Sequence, residues 1–339
     1  MTKRLISILM FFVALSGMAF ANGQSEGTGS EDKVVTIKVN TISVPNDAHT
    51  NALYKFEEVL EELTEGKVQV EVFHSASLFS SEEEFASLLQ GNLDMAYVSA
   101  NTLADYIPSF SMLTSGYIFK DYDHMRKVYD GEIGDKILSS VQDELGIVPI
   151  DVFYLGARQI NLRDIGRVVK TPADLKGVKL RMPNSAAWLF LGKAMGASAT
   201  PLSFSELYLA LKTGTVDGQD NPLPTVKNAK FYEVTKSISL TNHVIDTVWP
   251  TISEKKWKEL TPYHDEVISA IEEAKQLCDS QNIEAEKSLV EFFRSEGLTV
   301  VEADKEAFSS HVQGVYLNDK KMTSTWDLDL YEQIQNIGK

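Results

Sequence analysis

Apolar residues repeat with two periods along this chain. Val34 to Asn40 and then Val68, Val70 and Val72 alternate apolar with polar, the period of a half-buried strand. Between them, Leu53, Phe56, Leu60 and Leu63 share one face of a helix expected over Asp47 to Glu65, with Gly66 at its end. The rhythm continues with a helix over Glu82 to Gln90 stopped by Gly91, and a strand over Leu93 to Ser99. Helices at Tyr122 to Tyr129 and Gly134 to Leu145 follow, then an apolar strand from Ile147 to Tyr154. Such alternation predicts an α/β fold with a mostly parallel sheet covered by helices.

The second half repeats the theme. Val178, Leu180 and Met182 alternate with Lys179 and Arg181, so a short strand buries three apolar residues and turns two cations to its other face. Asn184 is expected to cap a helix running to about Met195, with Gly196 as its left-handed terminator. Ser203 and Glu206 have capping-box spacing; Leu207 and Leu211 lie one turn apart, and Gly214 ends that helix. Asp217-Gly218 reads as a tight turn, and Asn221, standing before Pro222, is pushed into an extended conformation. From Thr261-Pro262 to about Arg294 the pattern is one helix about 50 Å long, with Leu277, Leu289, Phe292 and Phe293 among its apolar positions. The chain is expected to cross into a second α/β region near Leu155-Gly156 and back near His243 to Val248. No internal repeat is visible.

Composition narrows the setting. Residues 1–21 read as a secretory signal: Lys3 and Arg4, an apolar run from Leu5 to Leu15, then small residues ending at Ala21. The apolar run is too short to span a membrane. With no cysteine at the expected cleavage near Ala21, a lipid anchor is not expected. Residues 22–32 are polar and rich in Gly and Ser, a disordered leader. Loss of Lys3 and Arg4 takes the net charge from −16 to −18, which argues against nucleic acid and anionic lipid as partners. A lone Cys278 excludes an internal disulfide, and its spacing from Val267, Ile271 and Ala274 makes it core packing.

The chemistry gathers around Arg181. It ends a strand, where open α/β sheets bind ligands, and its planar guanidinium can grip a carboxylate with two parallel bonds. Asn221 can aim its amide outward from its extended turn. Asn40 ends the first strand, Ser99 ends the third, and Trp188 lies on the helix after Arg181, where it can stack on a sugar ring or pack as a buried tryptophan. An exported enzyme is the rival class, but GxSxG, HExxH and CxxC are all absent and the six histidines are scattered. Asp217 and Asp220 lack the further ligands a calcium loop needs, and Glu82-Glu83-Glu84 reads as an acidic helix start. No metal or cofactor is expected.

The runs LRMPN, TPLSFSELYLAL, GTVDGQDNPL, AKFYEV and LTNH resemble the periplasmic solute-binding subunits of tripartite ATP-independent periplasmic (TRAP) transporters, over nearly the whole mature chain. The resemblance implies two lobes closing over a ligand, here 33–155 with 247–285 and 156–246 with 286–339, tied by the long helix. It implies that Arg181 binds an organic acid's carboxylate, helped by Asn221, with Arg158 of GARQ as a second arginine and Phe204 packed on the ligand. Arg158 follows a strand and a glycine and is expected on a loop. It further implies a periplasmic monomer that hands its solute to TRAP membrane permease subunits without itself entering the membrane. A ligand-sensing partner of a membrane receptor would use the same pocket. Sialic-acid binders are the nearest echo, yet Ser99 and Thr102 stand where those proteins place a glutamate and an arginine. The favoured ligand is therefore a smaller sugar acid, a uronate or aldonate, ahead of a C4-dicarboxylate or 2-oxo acid.

Overall fold

The computed structural model describes residues 34–338; the expected signal segment at 1–21 and leader at 22–32 lie outside the described residues. Eleven strands among the described residues join in one sheet. They are β1 (Val35–Asn40), β2 (Val68–Phe73), β3 (Met95–Val98), β4 (Val148–Pro149), β5 (Phe153–Leu162) and β6 (Lys179–Met182), followed by β7 (Ser198–Pro201), β8 (Gly218–Pro222), β9 (Ser237–Leu240), β10 (Ile245–Ile252) and β11 (Thr299–Glu302). Between them run α1 (Ala48–Leu63), α2 (Ser81–Leu89), α3 (Ala100–Ala104), α4 (Tyr122–Tyr129), α5 (Glu132–Leu145), α6 (Ala186–Ala194), α7 (Leu207–Thr213), α8 (Leu223–Asn228), α9 (Glu254–Glu259) and α10 (His264–Ser295). Three shorter helices close the chain: α11 (Lys305–Asn318), α12 (Lys320–Thr323) and α13 (Leu328–Asn336).

The main path through the sheet is β2-β1-β3-β10-β5-β8-β6-β7. β1, β2 and β3 are parallel, as are β6, β7 and β8, and β9 with β11. β5 and β10 run against each other and against the sets they join. The architecture is thus the two-lobed α/β fold expected from the alternation of elements: parallel strands under helices on either side, linked through two long strands in the middle. Three apolar clusters form the core. One lies under β1 and β2 with α1 and the first half of α10, around Phe56, Leu60, Val267 and the buried thiol of Cys278. The largest surrounds Trp249, Phe119, Leu180, Leu191 and Phe308. The third packs Leu207, Leu211 and Phe231 against Leu289 and Phe293 of the second half of α10.

The apolar run at 147–154 is not one strand. Val148–Pro149 pairs with β10 and ends; Asp151 then turns the chain, its carboxylate accepting the Val152 N–H at 2.7 Å. A new strand, β5, begins at Phe153 and continues through Gly156 to Leu162, so Arg158 stands inside a strand and not on the loop expected for it. At this crossing the β5–β10 register slips between Asp246 and Thr247. α10 braces the slip from below: Asp279 accepts the Tyr154 N–H at 2.7 Å, Asn282 donates to the Tyr154 carbonyl at 2.7 Å, and Glu286 accepts the Ala157 N–H at 2.7 Å. These three side chains lie along one face of the helix and satisfy backbone groups the slipped ladder leaves open. α11–α13 meanwhile bind back to earlier chain, with Trp326 Nε1 donating to Ser111 Oγ at 3.0 Å and Gln335 to the Ile118 carbonyl at 2.8 Å. Among the described residues no helix is long and apolar enough to cross a membrane.

Gly156 is required by this geometry. Its φ is +128°, and a Cβ there would lie 2.6 Å from Pro222 Cβ and 3.0 Å from a Glu286 carboxylate oxygen. Gly156→Ala is expected to lower stability by at least about 2 kcal/mol in urea denaturation, from backbone strain and overpacking together. Gly166→Ala, at φ +71° with nothing within 4 Å of the added carbon, is the control and should cost about 1 kcal/mol. Equal midpoints for the two variants would show that the crossing relaxes freely.

Candidate functional site

A cavity of about 380 Å³ opens where the carboxyl ends of β6 and β8 face the loops after β1 and β3 across β5 and β10. Its size is that of a small-molecule site. Arg181 is the third residue of β6, a strand held between β7 and β8, and its side chain is buried at 2% exposure. Nε donates to the Leu202 carbonyl at 2.8 Å, which fixes the guanidinium plane. Among the described residues no carboxylate comes within ion-pair distance of Arg181; Asp220 and Glu82 act on it from farther off. Burial lowers its pKa to about 10, with Arg158 adding repulsion, and it stays charged at neutral pH. A buried permanent cation facing a cavity, with no carboxylate at ion-pair distance among the described residues, has the chemistry to hold an anion.

Arg158 also lines the cavity, but its nitrogens are occupied. Nε donates to Asp220 at 2.8 Å and Nη1 to Asp246 at 2.7 Å, while Nη2 reaches both the other Asp220 oxygen and the Asp220 carbonyl. Its guanidinium carbon lies 4.3 Å above the Trp188 ring. His243 Nε2 sits 3.0 Å from Asp220, and its Nδ1 pairs with Thr241 Oγ1 at 2.7 Å. Burial opposes ionisation of Asp220, but Arg158 and His243 together hold its carboxyl far below the usual carboxylate range. Asp246 shares only one nitrogen of Arg158, so burial prevails and its pKa rises. Despite burial, these acids hold Arg158 firmly protonated.

Four of the other expected residues, Asn221, Phe204, Ser99 and Trp188, line the same cavity. Asn221, in β8, gives one amide hydrogen to Gln219 Oε1 at 2.5 Å, which leaves the second for a ligand oxygen. Phe204 lines the cavity half-buried, edge-on to Phe231 with ring centres 5.5 Å apart. Ser99 lines it too, while capping α3 by accepting the Thr102 N–H at 3.3 Å. Trp188 reaches the cavity, but one face of its ring is covered by Arg158. Asn40 does not line it. Fully buried behind the wall, it donates to the Glu84 carboxylate and to the Phe79 carbonyl at 3.1 Å. Asn184 is not the cap of α6: Ser185 takes that position, accepting the Trp188 N–H at 3.2 Å, and Asn184 is left on the cavity wall. Asp217-Gly218 is no tight turn, because Gly218 already opens β8 beside β5.

Several residues of the cavity were not singled out from sequence as its lining. Asp246 comes from β10, with His243 just before it, and both reach Arg158 or Asp220 from distant chain. Glu84 was read as one of three acids at a helix start. Glu83 in fact makes the capping box with Ser80, which turns the next residue, Glu84, inward beside Phe85. Burial raises its pKa to about 8, opposed by the Asn40 hydrogen bond. Asp47 is likewise buried and raised to about 6, and burial lowers His49 to about 4. Among the described residues, no group of three or more His, Cys, Asp or Glu could hold a metal ion.

Comparison with known proteins gives a family. Residues 39–321 match the profile of bacterial extracellular solute-binding protein, family 7. The chain is 32% identical over 288 residues to the sialic acid-binding periplasmic protein SiaP of Vibrio cholerae, covering 85% of this chain and 89% of that one. A TRAP periplasmic solute-binding protein of Roseobacter denitrificans, solved with bound 3-deoxy-D-manno-oct-2-ulosonic acid, matches at TM-score 0.84 and 38% identity over 89% of this chain and 98% of that one. Another from the same organism, with bound L-galactonate, matches at TM-score 0.81 and 30% identity over 89% and 99%.

Glu84 gives the site a measurable pH signature. A carboxyl whose folded-state pKa is raised from 4.5 to about 8 stabilises the fold below pH 4.5, and that contribution is lost as pH climbs through about 8. Glu84→Gln stays uncharged throughout. Its stability relative to the parent should therefore rise between about pH 5 and pH 8.5, by about 1 kcal/mol or more in thermal melts. A difference flat with pH would mean that the carboxyl is neutralised in some other way.

Proposed function

Because the chain belongs to family 7 of the bacterial extracellular solute-binding proteins, the TRAP-transporter type, we propose that its cavity captures a sugar acid, a uronate or aldonate, and delivers it to TRAP membrane permease subunits. The family is one of binding proteins of small organic acids and not of enzymes. The observation that carries the reading is Arg181, whose guanidinium is buried, fixed by one carbonyl and, among the described residues, without a carboxylate at ion-pair distance. The ligand's carboxylate supplies that partner, with the free amide hydrogen of Asn221 beside it. Arg158 lines the same wall with its charge balanced by Asp220 and Asp246, and Phe204 packs on the ligand's carbon face.

The preference for a sugar acid over a C4-dicarboxylate rests on the remaining wall. Asp47, Glu82, Glu84 and Asp105 all line it. A second carboxylate there would meet acids and no lysine or arginine on that wall, whereas hydroxyl groups can hydrogen-bond each of these acids, ionised or protonated. The relatives that bind L-galactonate and an octulosonic acid support the same class. Ser99 and Thr102 fit this shorter, hydroxylated ligand better than sialic acid.

In this reading the lobes are 33–155 with 247–285 and 156–246 with 286–339, and they close about the β5–β10 crossing. Closure expels water and strengthens each charge-assisted bond as the local dielectric falls. The protein works as an exported monomer, its signal segment cleaved near Ala21. A ligand favours the closed form only by binding it better than the open one.

A thermal-shift screen of the mature chain against D-glucuronate, L-galactonate, 3-deoxy-D-manno-oct-2-ulosonic acid, sialic acid, succinate and pyruvate tests the ligand class, since tight binders raise the melting point by mass action. Sugar acids should give the largest shifts; a larger shift with succinate or pyruvate would overturn the preference. For the best binder, Arg181→Ala should cost about 3 kcal/mol or more by calorimetry, on the order of 100-fold in affinity. Arg181→Lys should also bind more weakly, because the ammonium lacks the two-pronged geometry. Binding by Arg181→Ala within about threefold of the parent would sink the assignment.

A further inference from the structure

The unpaired cation of the cavity has a mirror image. On the wall built from residues 41–106, Asp47 and Glu84 are both buried, and Asp105 stands at the rim. Their hydrogen-bond partners are neutral: Asn228 and the Val44 N–H for Asp47, Asn40 for Glu84, and the Ala186 N–H for Asp105. Among the described residues, no Lys or Arg acts on any of the three. Two more side chains on this wall each have one atom with no hydrogen-bond partner among the described residues. Asn101, at 3% exposure, leaves its side-chain oxygen unpaired, and His49, at 5% exposure, leaves Nδ1 unpaired. An amide oxygen can only accept, so what Asn101 lacks is a donor.

The cavity is therefore dipolar, with a cation lacking an anion at β6 and acids lacking a cation across β5 and β10. We infer that the wall of Asp47, Glu84 and Asn101 is an amine subsite, and that the solute is an amino sugar acid, with a protonated amine on the end remote from its carboxylate. This rests on the reading that Arg181 holds the carboxylate. Hydroxyl groups would also donate to this wall, but only an ammonium adds positive charge to buried acids along with its three N–H donors. The raised pKa values of Glu84 and Asp47 are those of acids that burial penalises and no cation relieves.

The test is calorimetry on the mature chain with three probes of one carbon skeleton: D-gluconate, 5-amino-5-deoxy-D-gluconate and 6-amino-6-deoxy-D-gluconate. At least one amino acid should bind about tenfold or more tighter than gluconate, and Glu84→Gln or Asp47→Asn should bring that ratio close to one. The inference is overturned if gluconate binds as well as both amino probes, if neither amino probe binds, or if the preference survives both substitutions. Failure of the parent reading looks different: Arg181→Ala would then leave the affinity for every probe unchanged.

Discussion

A guanidinium still charged at neutral pH, buried in a wall with no carboxylate at ion-pair distance among the described residues, is the constraint around which this protein is arranged. Such a group is costly to bury, and the cheapest remedy would be a neighbouring acid. Asp220 is close enough to act on Arg181, but it is already committed to Arg158 and His243. The buried set of Arg158, Asp220, Asp246 and His243 thus takes up the acids that would otherwise close on Arg181 and fill the site from within. In this light Arg158 matters to the pocket through what it occupies as much as through any contact of its own. Trp188 completes the arrangement by covering the guanidinium face that its acids leave open.

The same cluster sits on the strands that join the two sides of the sheet. Arg158 belongs to β5, Asp246 to β10 and Asp220 to β8, so the polar network and the crossing are one object. α10 holds it from beneath through Asp279, Asn282 and Glu286. Its two halves belong to different apolar clusters, which makes the helix a spar fixed at both ends with its middle pinned to the place where the ladder slips.

Much of this was legible in the chain. Two-residue and helical periods located nearly every element through Leu145, and alternation around Arg181 placed it at the end of a short strand, on the face opposite Leu180 and Met182. Failures came where a signal was local and its cause was not. The run at 147–154 looks like one strand because periodicity cannot register the turn made by Asp151, and so Arg158 was expected on a loop. Asn184 and Ser185 are both good caps one residue apart, and composition does not choose between them. Asn40 was expected to touch ligand; strand-end position put it near the site, but its side chain turned to Glu84. Asp246, His243 and Glu84 matter through partners far away in sequence, which no pattern within one element reports.

The single thiol has a use that follows from where it lies. Cys278 is fully buried in α10 beneath the Tyr154 carbonyl, and burial drives its pKa well above that of a free thiol. It is therefore neither reachable nor nucleophilic in the folded protein. A cysteine introduced at an exposed rim position such as Asp105 would be the one thiol that an alkylating dye can find, so the native chain needs no prior removal of cysteine to be built into a fluorescent reporter of its own solute.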